Sequence, residues 1–163
     1  RTLADSAVKR LFKRTVDEGL DKIVFYEGTI QTPDEFLRMA KYSDCLFWVL
    51  FDGKKTVGYT WVNQFENHSA QQHFCVFKDF WGKSIELGQF VLHEIMHMKD
   101  GDGNFVFDLL TGFVPAWNQK AVNFSLKCGG ETHGEIPNAI WNQEKQRSEP
   151  AVFIYYTRGQ CHG

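Results

Sequence analysis

The chain is poor in features that staple, anchor or strongly charge a protein. Four cysteines occur in 163 residues, at Cys45, Cys75, Cys128 and Cys161, and no two form a C-x-x-C pair. Neither a disulfide framework nor a thiolate metal cluster is expected, and isolated thiols of this kind read as packing residues in a reducing compartment. Long apolar runs are missing too. The longest, "CLFWVLF" at 45–51, is strand-sized, whereas a membrane-spanning helix needs about 20 residues. Neither sign of charge dominates: 18 basic residues face 20 acidic ones, for a net charge of −2. That balance excludes a global basic field for nucleic acid or an anionic membrane. The opening residues "RTLADSAVKRLFKR" contain no apolar signal core, so the chain reads as cytoplasmic. With no repeat, low-complexity segment or Pro/Gly/Ser-rich linker, residues 1–163 are expected to fold as one domain.

What is present is an ordinary globular composition, 43% hydrophobic and 23% charged, with clear local periodicities. Apolar residues at Ala7, Val8, Leu11, Phe12 and Val16 predict a helix from Ala4 to about Glu18, with a short strand possible before it. Thr32-Pro33-Asp34-Glu35 opens a second helix, with Thr as N-cap, Pro in the first position and acids in the first turn. "DCLFWVLF", an Asp52-Gly53 turn and "TVGYTWVNQF" read as a hairpin, followed by a third strand in "AQQHFCVF". A helix over 84–99, a strand over 104–111 ("NFVFDLLT") and a helix over 116–128 follow. Gly129-Gly130 stops that last helix. "ETHGEI" and "AVFIYYT" read as closing strands around a loop centred on 141–149. This order predicts an α+β fold, a mixed sheet with helices packed on it.

Residues 77–97, "FKDFWGKSIELGQFVLHEIMH", carry three partial signatures. Gly82-Lys83-Ser84 ends like a nucleotide P-loop, but the Gly required five residues earlier is Phe77, and that reading fails. His93-Glu94-Ile95-Met96-His97 matches the bare zinc-peptidase pattern, two imidazoles one helical turn apart flanking a carboxylate. On a helix at about 100° per residue, Ile85, Gly88, Val91, Leu92, Ile95 and Met98 form the core stripe. Both histidines then fall near the opposite, solvent-facing side. Asp102, Asp108 and His133 are the available third ligands, none at a recognised spacing, so no metal is expected. The third signature is a strand ("HFCVF"), a short Gly-containing loop ("KDFWGK") and a helix starting near Ser84. First-turn amides of such a helix suit a pyrophosphate, and Lys78 and Lys83 add positive charge to the rim.

Downstream, "WNQKAVNFSLKCGGETHGEI" at 117–136 has Asn118, Ala121 three residues on, and a helix ending Lys127-Cys128-Gly129-Gly130 before a new strand. With the element order, this resembles the GNAT superfamily of N-acetyltransferases, whose fourth helix reads N-x-x-A-x-x-L-Y-x-K-x-G-F. The resemblance spans nearly the whole chain in element order and two segments, about 74–92 and 117–136, in motif. "KCGGETHGEIPNAIW" looks like small phage- or prophage-encoded members, for which host cytoplasm or virion would be the setting.

The resemblance implies a mostly antiparallel mixed sheet with splayed central parallel strands and helices on both faces. It implies acetyl-CoA as co-substrate, its pantetheine arm lying between "HFCVF" and "NFVFDLL". Backbone groups of Cys75, Val76 and Phe77 would pair with pantetheine, the amides of Gly82, Lys83 and Ser84 would hold the pyrophosphate, and Asn118 would lie on the cofactor side. An amine of a small molecule or a protein would attack the thioester, with His73 as base; Glu66 and His68 are alternatives. Trp81 would pack beside the cofactor or anchor the core. The acceptor pocket would be built from the first two helices and the 141–149 loop. Three departures stand against the motif: Asp79 opens the loop, Ser125 occupies the position of the family's helix-four Tyr, a general acid, and Gly130 replaces Phe. They motivate an alternative, a non-catalytic GNAT-like protein such as a phage structural or assembly component.

Overall fold

The computed structural model describes residues 3–160. The strand suggested ahead of Ala4 and the thiol of Cys161 lie largely or wholly outside these residues. Helices α1 (Asp5–Asp17), α2 (Asp21–Val24) and α3 (Pro33–Ala40) precede strands β1 (Cys45–Asp52), β2 (Lys55–Glu66) and β3 (Ser69–Val76). A 3₁₀ turn over Lys78–Lys83 leads into α4 (Ser84–Met96), then β4 (Leu109–Pro115), α5 (Gln119–Lys127), β5 (Glu131–Asn142) and β6 (Arg147–Thr157). A second short 3₁₀ turn covers Arg158–Gln160.

The start of α3 is fixed as its sequence predicts. The Glu35 N–H donates to Thr32 Oγ1 at 3.2 Å, and the Glu35 carboxylate accepts the Thr32 N–H at 2.9 Å, a reciprocal capping box. The six strands run in the order β1-β2-β3-β4-β6-β5, antiparallel except for β3 against β4. Alternation along the strands divides the apolar side chains between two cores, as a period of two requires. Phe47, Tyr59, Trp61 and Cys75 meet α1 and α3 through Val8, Phe12 and Phe36 on one face. On the other, Val62, Ala70, Leu110 and Ile154 meet α4 through Val91, Leu92, Ile95 and Met96. Helices therefore cover both faces, as expected.

Several boundaries differ from the sequence reading: α2 was not expected, and α5 starts at Gln119 rather than 116. The strand expected over 104–111 begins at Leu109 and runs to Pro115. Residues 104–108 instead form a packed connection, with an isolated bridge between Lys99 and Phe105. Phe107 is buried there, and the Arg158 guanidinium lies 3.8 Å from the Phe105 ring centroid while donating to the Phe107 carbonyl. Alternating aromatics mimicked a strand because a loop pinned by Arg158 buries them, while Gly112 and Pro115 disguised the true one. The 141–149 loop is mostly strand: β5 and β6 extend into a long hairpin whose turn occupies only 143–146. Pro137 and Asn138 hid this extension, and they sit in an irregularity between Ile136 and Ile140 where Asn138 takes φ 54°. Helix α4 ends at Met96, so His97 caps it rather than continuing the helical face.

Candidate active site

Strands β3 and β4 pair only at Ser69–Leu109, Ala70–Leu110 and Gln71–Thr111, then separate. Beyond that point β3 continues to Val76 and β4 to Pro115 with no ladder between them. The facing backbone edges are open over a span in which two strands would otherwise satisfy each other. A cleft of about 160 Å³ fills the divergence, bordered by Gln72, His73, Phe113, Asn118, Ser125 and Tyr156 among others. At its fork Gln72 Nε2 donates to Thr60 Oγ1 at 2.6 Å, while Gln72 Oε1 is buried without a hydrogen-bond partner. An unsatisfied buried carbonyl is costly and marks a place where a donor from outside the protein would be welcome.

The cleft continues into a groove of about 350 Å³ lined by Phe74, Cys75, Val76, Trp81, Ser84, Asn118 and Lys120. Four of the expected cofactor residues, Cys75, Val76, Ser84 and Asn118, are thus brought together along one path. Asn118 is the N-cap of α5, its Oδ1 accepting the Ala121 N–H at 3.2 Å. Trp81 is 45% exposed with its orientation fixed, because its indole N–H donates to the Val76 carbonyl at 3.0 Å. The ammonium groups of Lys78 and Lys120 stand 6.0 and 5.8 Å from its ring, within reach of a cation–π contact.

The remaining cofactor residues are placed differently. Phe77 is fully buried, its N–H given to the Val57 carbonyl and its own carbonyl accepting from Phe80, so it has no N–H to offer pantetheine. The Ser84 N–H is spent on the Trp81 carbonyl. Gly82 and Lys83 lie inside the 3₁₀ turn that precedes α4. The Ser84 amide is therefore not the orphan expected, because helical structure starts at Lys78, six residues earlier than the sequence suggested. Lys83 stays on the exposed rim, 3.8 Å from Asp52.

Asp79, expected to disturb an anion, is turned aside and paired with Arg14 Nη2 at 3.3 Å. Arg14 also binds Glu18 at 2.7 Å and lies 4.0 Å above the Phe77 ring. Glu18 in turn accepts the Lys78 N–H at 2.6 Å.

His73 stacks on Trp61 with ring centroids 4.5 Å apart and planes 2° from parallel, and its Nε2 meets Asn63 Oδ1 at 2.9 Å. An amide oxygen only accepts, so Nε2 carries the proton and Nδ1 the lone pair. Burial pushes the imidazole down to about 4, so His73 is neutral at physiological pH. Ser125 is buried on α5 at the border of the cleft. The thiols of Cys75 and Cys128 are driven by burial up to about 12, which suits packing rather than nucleophilic chemistry.

His93 and His97 do not face solvent as expected. They are half-buried and stacked on each other at 4.1 Å, with His97 Nδ1 at 2.8 Å from the His93 carbonyl and Phe105 edge-on to His97. Among the described residues no three His, Cys, Asp or Glu side chains gather to hold a metal. Asp108 is engaged by Arg158 at 2.8 Å, and His133 stacks on Tyr155. Among the described residues, no helix is long and apolar enough to cross a membrane.

Several site residues were not singled out in the sequence. Tyr26, half-buried, reaches the Phe113 carbonyl of β4 at 3.5 Å and packs edge-on to Trp117. Beside it Glu27 has its carboxyl raised by burial, and burial with the Glu27 charge raises the Tyr26 phenol. A second opening of about 430 Å³ lies between this segment and the hairpin tip, with Asp21, Lys22, Trp117, Gln143 and Glu144 on its walls. Tyr26 and Trp117 lie in irregular segments, where no periodicity flags them.

A six-stranded mixed sheet parted between its two parallel strands and covered by helices on both faces is the fold of the GNAT acetyltransferases. The chain is similar over 99% of its length to a spermidine N-acetyltransferase from Vibrio cholerae in complex with CoA and spermine, covering 95% of that chain at 15% identity and a TM-score of 0.74. It is similar as well to an acetyltransferase of the GNAT family from Streptococcus pneumoniae, with 96% and 97% of the two chains covered, 16% identity and a TM-score of 0.66. No protein-family model matches the chain, and no curated protein matches it by sequence.

Proposed function

We propose that the protein is an N-acyltransferase that moves an acetyl group from acetyl-CoA to a primary amine. The observation that carries this reading is the parting of β3 and β4 after Gln71–Thr111. It leaves two unpaired backbone edges facing one slot, and an amide-bearing pantetheine arm is a chain that can pair with them. Cys75, Val76 and Asn118 would flank that arm. The phosphates would pass Ser84 and the exposed rim of Gly82 and Lys83, and Lys78 and Lys120 would supply positive charge around Trp81. Backbone N–H groups of the slot would stabilise the oxyanion formed when the amine adds to the thioester carbonyl, the largest single contribution in chemistry of this kind. His73 Nδ1 is the proposed proton acceptor at the reacting end, and Ser125 a hydroxyl lining the same space.

The acceptor would enter from the opening between Tyr26 and the hairpin tip. Asp21, Lys22 and Glu144 border that opening, with Glu27 close by, so carboxylates outnumber the one cation there and favour a cationic amine. A polyamine is the first acceptor to test, since the Vibrio cholerae enzyme of the same fold is seen with spermine. The test is release of free CoA thiol from acetyl-CoA in the presence of spermidine, spermine and a panel of mono- and diamines. Amine-dependent release with a matching acetylated product supports the reading. No release with any amine, together with no binding of acetyl-CoA, removes it.

A further inference from the structure

The departing sulfur raises a question that the acyl-transfer reading, on which this inference rests, leaves open. As the carbon–sulfur bond breaks, sulfur leaves as a thiolate, and a proton donor beside it lowers the barrier. Ser125 offers only an aliphatic hydroxyl on a one-carbon stem. His73 is neutral, with its N–H committed to Asn63. The cleft has two phenols. Tyr26 stands toward the acceptor opening, against the Phe113 carbonyl and Glu27. Tyr156, from β6, stands on the opposite face of the sheet, packed in the core that includes α4 and Cys128 at the end of α5.

Tyr156 occupies space that Gly130 leaves for it. A Cβ added to Gly130 would lie 2.8 Å from Tyr156 Cε1 and 2.7 Å from Ile154 Cγ2, closer than side chains tolerate. The Tyr156 hydroxyl lies 3.4 Å from the Ser125 carbonyl oxygen, at the long end of hydrogen-bond range. The side chain is 5% exposed, so its contact with ligand would be through the cleft it borders. Two departures from the resembling motif thus touch this side chain, Gly130 at the ring and Ser125 through its carbonyl at the hydroxyl.

We propose that Tyr156 is the catalytic proton donor to the departing CoA thiolate, held until then against the Ser125 carbonyl. The amine nitrogen bonds to the carbonyl carbon, and the carbon–sulfur electron pair goes to sulfur. Sulfur then takes the Tyr156 O–H proton to give free CoA. The surplus amine proton passes by way of His73 Nδ1 to water, and the phenolate is reprotonated from water as CoA leaves. One thioester and one amine give one amide and one thiol.

Steady-state acetyl transfer by Tyr156→Phe, Tyr26→Phe and Tyr155→Phe tests the assignment. Tyr155 serves as the control, its hydroxyl bonded to Glu131 at 2.6 Å on the exposed side. Removing a positioned acid costs about a hundredfold, so Y156F is expected to lose kcat on that order. Its KM for acetyl-CoA and its thermal shift with acetyl-CoA stay near wild type, and Y155F is unaffected. A Y156F kcat within about twofold of wild type overturns the proposal, as does the loss appearing in Y26F instead. Should Y156F fail to fold, Gly130→Ala keeps the phenol but crowds its ring; a kcat loss there supports the proposal and wild-type kcat overturns it. A wild-type chain that neither shifts with acetyl-CoA nor releases thiol ends the acyl-transfer reading and this proposal with it. An active wild type alongside an equally active Y156F ends only the role of Tyr156.

Discussion

Replacing His73 by Gln should flatten the acid side of the stability profile. In the folded chain burial lowers this imidazole from 6.5 to about 4. The unfolded chain therefore binds the proton more readily than the folded one between these values, and stability falls as the pH falls through that window. Above the unfolded value the contribution is fully present; below the folded value it is gone. At about pH 4.5 the imbalance amounts to roughly 2.5 kcal/mol relative to neutral pH. Carboxylates that also respond to acid, such as Glu149, held down to about 2 by Lys145 first and then by Asn142 and Arg147, are common to both proteins and cancel in the comparison. Urea unfolding of wild type and H73Q at about pH 7 and about pH 4.5 gives the difference directly. Wild type should lose about 2.5 kcal/mol more than H73Q over that interval. Parallel losses would refute the buried, neutral His73 and with it the choice of Nδ1 as the proton acceptor.

Gly82→Asp meets no atom within 4 Å of its new Cβ, so the thermal midpoint should hold. The added carboxylate on the proposed phosphate path should weaken acetyl-CoA binding by about tenfold or more, as followed by titration. Gly88→Ala would put a Cβ 2.5 Å from Cys128 Sγ and 2.8 Å from Phe124 Cζ where α4 crosses α5. Chemical denaturation should report a loss of about 1–3 kcal/mol. His93→Ala and His97→Ala should each leave acetyl transfer within about twofold of wild type, and metal analysis of the wild-type protein should find no stoichiometric zinc. Bound zinc lost in either variant would restore the peptidase reading.

Most of the architecture was legible in the sequence because its signals are local. The capping box at Thr32, the Asp52-Gly53 turn and the Gly129-Gly130 stop each fix an element within a few residues. What failed depended on partners distant in sequence. The 104–108 segment alternates aromatics like a strand, yet it is held by Arg158, some fifty residues later. The long β5–β6 hairpin tolerates Pro137 and Asn138 only because the ladder resumes on either side of them. At the site, the strand–turn–helix pattern pointed to Cys75, Val76 and Ser84 and the 117–136 motif to Asn118, and all four line one groove. The bonded Ser84 amide was not legible, since no composition signal separates an open loop from a 3₁₀ turn already feeding a helix. The pairing of Asp79 with Arg14 crosses 65 positions and was equally invisible. Tyr26 and Tyr156 come to border the cleft only through β4, which Tyr26 touches at Phe113 and the strand of Tyr156 pairs with.

The slot between β3 and β4 carries the whole account, and calorimetric titration of acetyl-CoA into the purified protein tests it most directly. A single site per chain, with a dissociation constant in the micromolar range, about −8 kcal/mol, and weakened by Gly82→Asp, is the predicted result. No heat of binding at millimolar acetyl-CoA, with the protein folded and monodisperse, would contradict it.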